Sequence, residues 1–242
     1  MIEIKEGAFV IADAHYSHIR PELLSLIEDI YTQKLQPTQL ILMGDIFDAL
    51  FGSVTHTLEI NAQIVSLINA ISQQIEVIYL EGNHDFNLKD VFPEAKIFTI
   101  QDQPIICRYE DKMVCLAHGD FTGDLFYKVY TSLIRNPSVL NFLSSFDNMI
   151  NNYILKKLDA YLSKKDDCKE FAGFEKYIKK RLANRVTCDY FIEGHYHQNR
   201  SIKFENFRYI NLGAFACNQR YFIVKSLQDT ELLEENIFSK ET

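Results

Sequence analysis

Seven histidines occur in this 242-residue chain, and five of them fall in short polar clusters. In chain order the clusters are Asp13-x-His15, Gly44-Asp45-x-x-Asp48, Gly82-Asn83-His84-Asp85, His118-Gly119-Asp120 and Gly194-His195-x-His197. A lone D-x-H arises by chance, and a lone buried histidine more often completes a core than binds a ligand. Five such clusters, each following a short apolar run, carry far more weight than any one of them. Neutral imidazole nitrogens together with carboxylate and amide oxygens suit Mn, Fe or Zn, with no thiolate required. In extended chain, side chains at i and i+2 share a face, so Asp13 with His15 and His195 with His197 can each deliver two ligands from one segment. Neighbouring glycines let the backbone turn close to an ion. Seven N/O ligands drawn from these clusters are too many for one ion, and they serve two if one carboxylate bridges. Two divalent ions about 3.5–4 Å apart can clamp a phosphoryl oxygen and hold an ionised water for in-line attack.

Such residues need strands to present them. Residues 8–12 (AFVIA) and 39–43 (QLILM) are apolar runs ending at Asp13 and at Gly44-Asp45, and 75–80 (IEVIYL) runs into Gly82-Asn83. Between them, 21–34 and 58–71 have helical periodicity, with Pro21 suited to a first turn. Strands alternating with helices predict an α/β sheet whose crevice lies beyond the carboxyl ends of its strands. A hairpin is expected over 105–109 and 112–117, and more short strands near 189–193, 201–205, 207–212 and 220–225. Residues 121–185 read instead as helical. The expected organisation is therefore a body made of 1–120 and 186–242, interrupted by a helical insert at 121–185.

Charge follows the same division. The insert holds 12 Lys+Arg against 7 Asp+Glu, a net of +5, and the remainder holds 13 against 26, a net of −13. An acidic body argues against nucleic acid as a partner, because such binding neutralises phosphates with Lys and Arg. No obligate protein partner is inferred. The N-terminal stretch has Glu3 and Glu6 where a signal peptide would carry bare positive charge, so a cytoplasmic protein is expected. The five cysteines are odd in number and form no C-x-x-C pair, and they read as reduced structural thiols without disulfide or zinc roles.

Taken together, the clusters from Asp13 to His197 resemble the calcineurin-like metallophosphoesterase superfamily. That resemblance implies an αββα sandwich with a helical cap, and two divalent ions, Mn²⁺ foremost. It implies that Asp13, His15 and His197 hold one ion, that Asn83, His118 and His195 hold the other, and that Asp45 bridges. It also implies that His84 is the catalytic imidazole, oriented by Asp48; a nearby carboxylate would hold it in its protonated, donating form. The insert begins HGDFTGDLFYKVYTSLIRNPSVLNFL, and its Tyr127 and Arg135-Asn136-Pro137 are similar to UDP-2,3-diacylglucosamine pyrophosphohydrolases of lipid A synthesis. The implied reaction cleaves a UDP-linked, diacylated glucosamine into UMP and 2,3-diacylglucosamine 1-phosphate, with Arg135, Asp120 and Tyr127 as substrate contacts. Arg135 reads equally well as a structural ion pair. His84 stands where that subfamily commonly has Arg, which keeps open a soluble nucleotide phosphodiesterase or phosphatase. A scaffold that has lost its chemistry fits poorly, since every expected ligand is present.

Within the insert, residues 139, 143, 146, 150, 154, 158 and 161 form one apolar helical stripe, expected to pack on the body or a neighbouring helix. Phe142, Met149 and Tyr153 lie beside it and suit a greasy groove. Lys156, Lys157, Lys164, Lys165 and the run KYIKKRLANR are most simply solvated faces. Beside an apolar face they also suit an anionic inner-membrane surface, which would make the protein peripheral on the cytoplasmic side.

Overall fold

The computed structural model describes residues 1–120, 131–182, 186–226 and 231–239. From the N-terminus, β1 (Ile2–Glu3), β2 (Phe9–Ile11), α1 (Glu22–Tyr31), β3 (Gln39–Leu42) and β4 (Leu50–Phe51) lead to α2 (Thr55–Ile60) and α3 (Ala62–Ser72). Next come β5 (Glu76–Leu80), β6 (Asp85–Phe86), β7 (Lys96–Phe98), β8 (Ile105–Tyr109) and β9 (Lys112–Ala117). Helices α4 (Pro137–Met149), α5 (Tyr153–Leu162) and α6 (Phe174–Leu182) follow. The chain closes with β10 (Tyr190–Glu193), β11 (Arg200–Lys203), β12 (Arg208–Asn211), α7 (Phe215–Asn218), β13 (Arg220–Val224) and β14 (Leu233–Ile237).

These strands form two six-stranded sheets, ordered β14-β13-β2-β3-β5-β7 and β1-β8-β9-β10-β12-β11. In the first, β2, β3, β5 and β7 run parallel, and their near-continuous apolar sequence follows from burial on both faces. Alternate side chains show the two faces. Phe9, Ile11, Leu40, Leu42, Val77 and Tyr79 pack on Leu23, Leu26 and Ile27 of α1 and on Ile64, Ile68 and Ile71 of α3. Val10, Ile41 and Ile78 turn the other way and meet Cys107, Val114, Leu116 and Ile192 of the second sheet. The outer face of the second sheet, with Cys115, Phe191 and Tyr209, is covered by Phe174, Ile178 and Leu182 of α6. Helix, sheet, sheet, helix is the layering that the resemblance implies.

The stretch read as one insert thus divides. Its last helix packs on the body, whereas α4 buries only Leu140 and Asp147, and α5 only Leu162. A loosely attached α4–α5 pair stands over the strand ends.

Two expectations are corrected. The apolar stripe does not pack down: Phe146 is 50% exposed and Tyr161 69%. The cysteines are not all free, since Cys115–Cys188 and Cys168–Cys217 are disulfides, with Cα atoms 6.0 and 5.6 Å apart. The paired cysteines are 73 and 49 residues apart in sequence, so only the fold brings them together. Cys107 alone is free and buried, and burial pushes its thiol up to about 12.

Candidate metal centre

Every polar cluster follows the end of a strand: Asp13 after β2, Asp45 after β3, Asn83 and His84 after β5, His118 after β9, His195 and His197 after β10. The parallel strands deliver these ends to one place. Asp13, His15, Asp45, His195 and His197 all have φ between 46° and 63°, the left-handed region that non-glycine residues avoid. Two glycines are required by close approach. A Cβ on Gly82 would lie 2.2 Å from Asp45 Oδ1, and one on Gly194 2.4 Å from Asp13 Oδ2.

Three groups of side chains have potential ligand atoms within 4.8 Å of one another: Asp13, His15 and His197; His15, Asp45 and His84; Asp45, His118 and His195. Asp45 and His15 each belong to two of them, so the groups form one continuous cluster. His197 Nε2 is 3.1 Å from Asp13 Oδ1, and His118 Nε2 is 3.3 Å from Asp45 Oδ2 and 3.4 Å from Asn83 Oδ1. Asp13, His15, Asp45 and His118 are essentially inaccessible to solvent.

The donor set fits divalent cations. His118 Nδ1 faces the Met43 carbonyl at 3.0 Å, His84 Nδ1 faces the Asp48 carbonyl at 2.9 Å, and His197 Nδ1 faces the Asp167 carbonyl. With Nδ1–H donated outward, each Nε2 turns inward, an arrangement that orients metal-binding imidazoles. Those inward lone pairs of His118 and His197 point at oxygens that are also acceptors, a contact that needs a proton or a cation between. His15 adds an independent sign: both its ring nitrogens are buried without a hydrogen-bond partner among the described residues. Its Nδ1 lies 3.3 Å from Asp48 Oδ1 but outside hydrogen-bonding geometry.

Electrostatics follow from these pairs. Burial would raise Asp13 and Asp45, but facing imidazoles outweigh it, and both carboxyls lie below their usual range, Asp45 far below. His118 and His197 are raised, because facing Asp45 and Asp13 overcome burial. His195 moves the other way: burial, then the nearby His118 charge, pushes it down to about 3. It therefore remains neutral at any ordinary pH.

Beneath the cluster lies a residue whose role the sequence did not disclose. Asp85, fully buried, accepts hydrogen bonds from the backbone N–H of Asp45, Ile46, Phe47 and Gly82 and from the Tyr79 hydroxyl. It thereby ties the Asp45 turn to the Gly82-Asn83 turn. Burial, then the Asp45 charge, pushes its carboxyl up to about 7. A convergence of N–H groups from a turn 39 residues away has no sequence signal beyond the cluster itself.

Asp48 differs from expectation. It meets His84 through its backbone carbonyl, while its carboxylate faces His15 and, at 3.5 Å, Arg20 Nη1. The main chain reaches His84 because the Asp48 side chain points across the cluster. Arg135 is buried, with Nη2 2.8 Å from the Gly82 carbonyl and 3.4 Å from Asp120 Oδ2, and its guanidinium stacks over Phe86. Its Nε and Nη1 have no hydrogen-bond partner among the described residues. Tyr127 lies outside the described residues.

An apolar groove of about 540 Å³ opens on the cluster at Asn83 and His84. Phe51, Val54 and Phe86 of the body form one wall, and Leu143, Ile154, Leu158 and Tyr161 of the α4–α5 pair form the other. Four of the seven residues of the first apolar stripe thus line the groove. Phe142, Met149 and Tyr153, expected to face it, point to solvent.

This layering, with a cluster of carboxylates, amide and imidazoles at the strand ends, defines a metallophosphoesterase. The family model for calcineurin-like phosphoesterases matches residues 8–199, and the chain belongs to that family; it is a metal-dependent phosphoesterase. The particular relatives narrow the comparison. UDP-2,3-diacylglucosamine hydrolase of Haemophilus influenzae (strain PittGG) is 26% identical over 219 residues, covering 87% of this chain and 91% of that protein. The protein of the same name from Xanthomonas axonopodis pv. citri (strain 306) is 28% identical over 130 residues, covering 52% of this chain and 53% of that protein. Among solved structures, the phosphoesterase Yfce from E. coli aligns with a TM-score of 0.49 at 13% identity, covering 96% of this chain and 99% of that one.

Proposed function

We propose that this phosphoesterase hydrolyses the diphosphate of a UDP-linked, diacylated glucosamine, giving UMP and 2,3-diacylglucosamine 1-phosphate. The observation that carries the reading is the apolar groove opening on Asn83 and His84, a shape suited to acyl chains beside a phosphate-cleaving centre. Relatives named for that substrate support it.

Asp13, His15 and His197 would hold one ion, Asn83, His118 and His195 the other, with Asp45 shared; Mn²⁺ suits this N/O set. When bound, the two ions polarise the phosphoryl group and acidify water. His84, its Nδ1 fixed by the Asp48 carbonyl, would in its imidazolium form direct Nε2–H at charge developing on the phosphorus oxygens. Arg135, steadied by Asp120 and Glu81, would offer Nε at the groove wall to the substrate's sugar phosphate. In this reading the α4–α5 pair acts as the cap, with Tyr127 a further substrate contact.

No helix among the described residues is long and apolar enough to cross a membrane. The exposed Phe142, Met149 and Tyr153 beside Lys156 and Lys157 support peripheral binding to an anionic membrane surface. A soluble nucleotide diester is the second reading, favoured by His84 in place of the arginine of the lipid-specific relatives.

The test is Mn²⁺-dependent release of UMP from the lipid in detergent micelles, compared with turnover of a water-soluble phosphodiester. We expect His118→Ala and Asp45→Asn to abolish release. Turnover that survives chelation would overturn the metal reading. Preference for the soluble diester would overturn the lipid reading.

A further inference from the structure

The two outer groups of candidate ligands are braced differently. Asp45 and His118 are held from inside the body, by Asp85, the Met43 carbonyl and the Gln103 side chain. Asp13, His15 and His197 are held from outside. The Asp13 carbonyl accepts from Ala216 N of α7, His15 faces the Asp48 carboxylate, and His197 faces the Asp167 carbonyl. The sets meet through the main chain, His195 N donating to the Asp13 carboxylate and His15 N to the Asp45 carbonyl.

The three outside supports are also joined to each other. Arg20 Nη1 is 2.6 Å from Asp167 Oδ2 and 3.5 Å from Asp48 Oδ1, so one guanidinium links the residue behind His15 to the residue behind His197. The Cys168–Cys217 disulfide joins the neighbour of Asp167 to α7, the support of Asp13. Lys165 adds a second cation on Asp167, at 3.1 Å. The result is a closed brace: α7, disulfide, Asp167, Arg20, Asp48. The segment carrying Asp167 begins just past the end of α5, of which only Leu162 is buried, and Gln198 holds its far side by bonds to the Lys169 carbonyl and Phe171 N.

We propose that Arg20 and the Cys168–Cys217 disulfide are positioning groups that set the affinity of the Asp13–His15–His197 metal site and leave the Asp45–His118–His195 site unaffected. This rests on the two-ion reading above. Outer partners that orient metal-binding side chains typically change affinity by about 10–100-fold when removed. The disulfide makes the brace redox-sensitive. A dithiol that reduces it is itself oxidised to a disulfide, and Cys168 and Cys217 become thiols. The Asp167 segment then keeps only its ion pairs and hydrogen bonds.

The experiment is Mn²⁺ titration of the full-length oxidised protein by calorimetry, with electron paramagnetic resonance to detect spin coupling between neighbouring ions. Wild-type protein should bind two ions with a coupled signal. In Arg20→Ala, one ion should keep its affinity, the other should weaken roughly 10–100-fold, and isolated-ion spectra should replace the coupled signal at limiting metal. Arg20→Lys should recover part of the loss. Cys217→Ser, or dithiol treatment of the wild type, should weaken the same ion. If Arg20→Ala does not fold, Asp167→Asn decides, because it keeps the carbonyl facing His197 and drops the anion facing Arg20. Unchanged binding in the variants, or equal weakening of both ions, overturns the proposal while the two-ion reading stands. A wild-type protein that binds only one ion overturns both.

Discussion

Replacing Asp85 by Asn exchanges one oxygen for an amide nitrogen and disturbs two turns at once. Oδ1 of Asp85 accepts from Asp45 N at 3.0 Å and Gly82 N at 2.9 Å; Oδ2 accepts from Ile46 N at 2.6 Å, Phe47 N at 3.4 Å and Tyr79 Oη at 2.7 Å. An amide leaves one oxygen in place and sets N–H against donors at the other. The lesser disturbance orphans two buried N–H groups at about 1–3 kcal/mol each, roughly 2–6 kcal/mol in all. The carboxyl pushed up to about 7 shows that charge there is itself unfavourable, which favours the lower half, about 2–4 kcal/mol. Urea unfolding of metal-free protein at pH 7.5 measures this. Acid adds a second check. A carboxyl that titrates near 7 folded and 3.8 unfolded stabilises fully below 3.8, and that contribution is lost as pH rises through 7. Asn cannot titrate, so the gap between wild type and Asp85→Asn should widen as pH falls from 7 towards 4. A loss under about 0.5 kcal/mol would refute the role assigned to Asp85, and a gap that narrows on acidification would refute the burial-driven rise of its carboxyl.

Metal binding should release protons, because His118 and His197 are raised above the ordinary 6.5 and are each more than half protonated at pH 6.5. Calorimetry in buffers of different ionisation enthalpy should therefore find between one and two protons released at that pH; none would contradict the paired geometry. Leu158→Asp places a charge in the apolar wall and should lower lipid turnover more than tenfold while soluble diester turnover stays within about twofold. Phe142→Asp with Met149→Asp should weaken binding to anionic vesicles, read by sedimentation, without changing soluble diester turnover. Equal binding by wild type and the double variant would remove that face from the membrane reading.

The body was legible because the strands are buried on both faces and read as apolar runs: 39–43 and 75–80 each lie within a residue of β3 and β5. The clusters were legible because each ligand sits just past such a run. The short strands β4, β6 and β7 have two or three residues and no usable period. The disulfides and the inward turn of Asp48 depend on neighbours distant in sequence. The groove was misassigned for a related reason. Periodicity shows that a helix has an apolar face, and it does not say whether that face meets protein, a cavity or water.

The left-handed backbone at Asp13, His15, Asp45, His195 and His197 sets selection for robustness against selection for catalysis. Each such residue costs about 1–2 kcal/mol relative to ordinary backbone, so five amount to roughly 5–10 kcal/mol, comparable with the whole net stability of a domain. Glycine at any of the five would relieve that cost and remove a ligand. A library screened only for thermal resistance without added metal should therefore enrich glycine at these positions and yield hardy, inactive proteins. Screening in the presence of metal should enrich the ligands instead. The choice of buffer would decide which molecule is recovered.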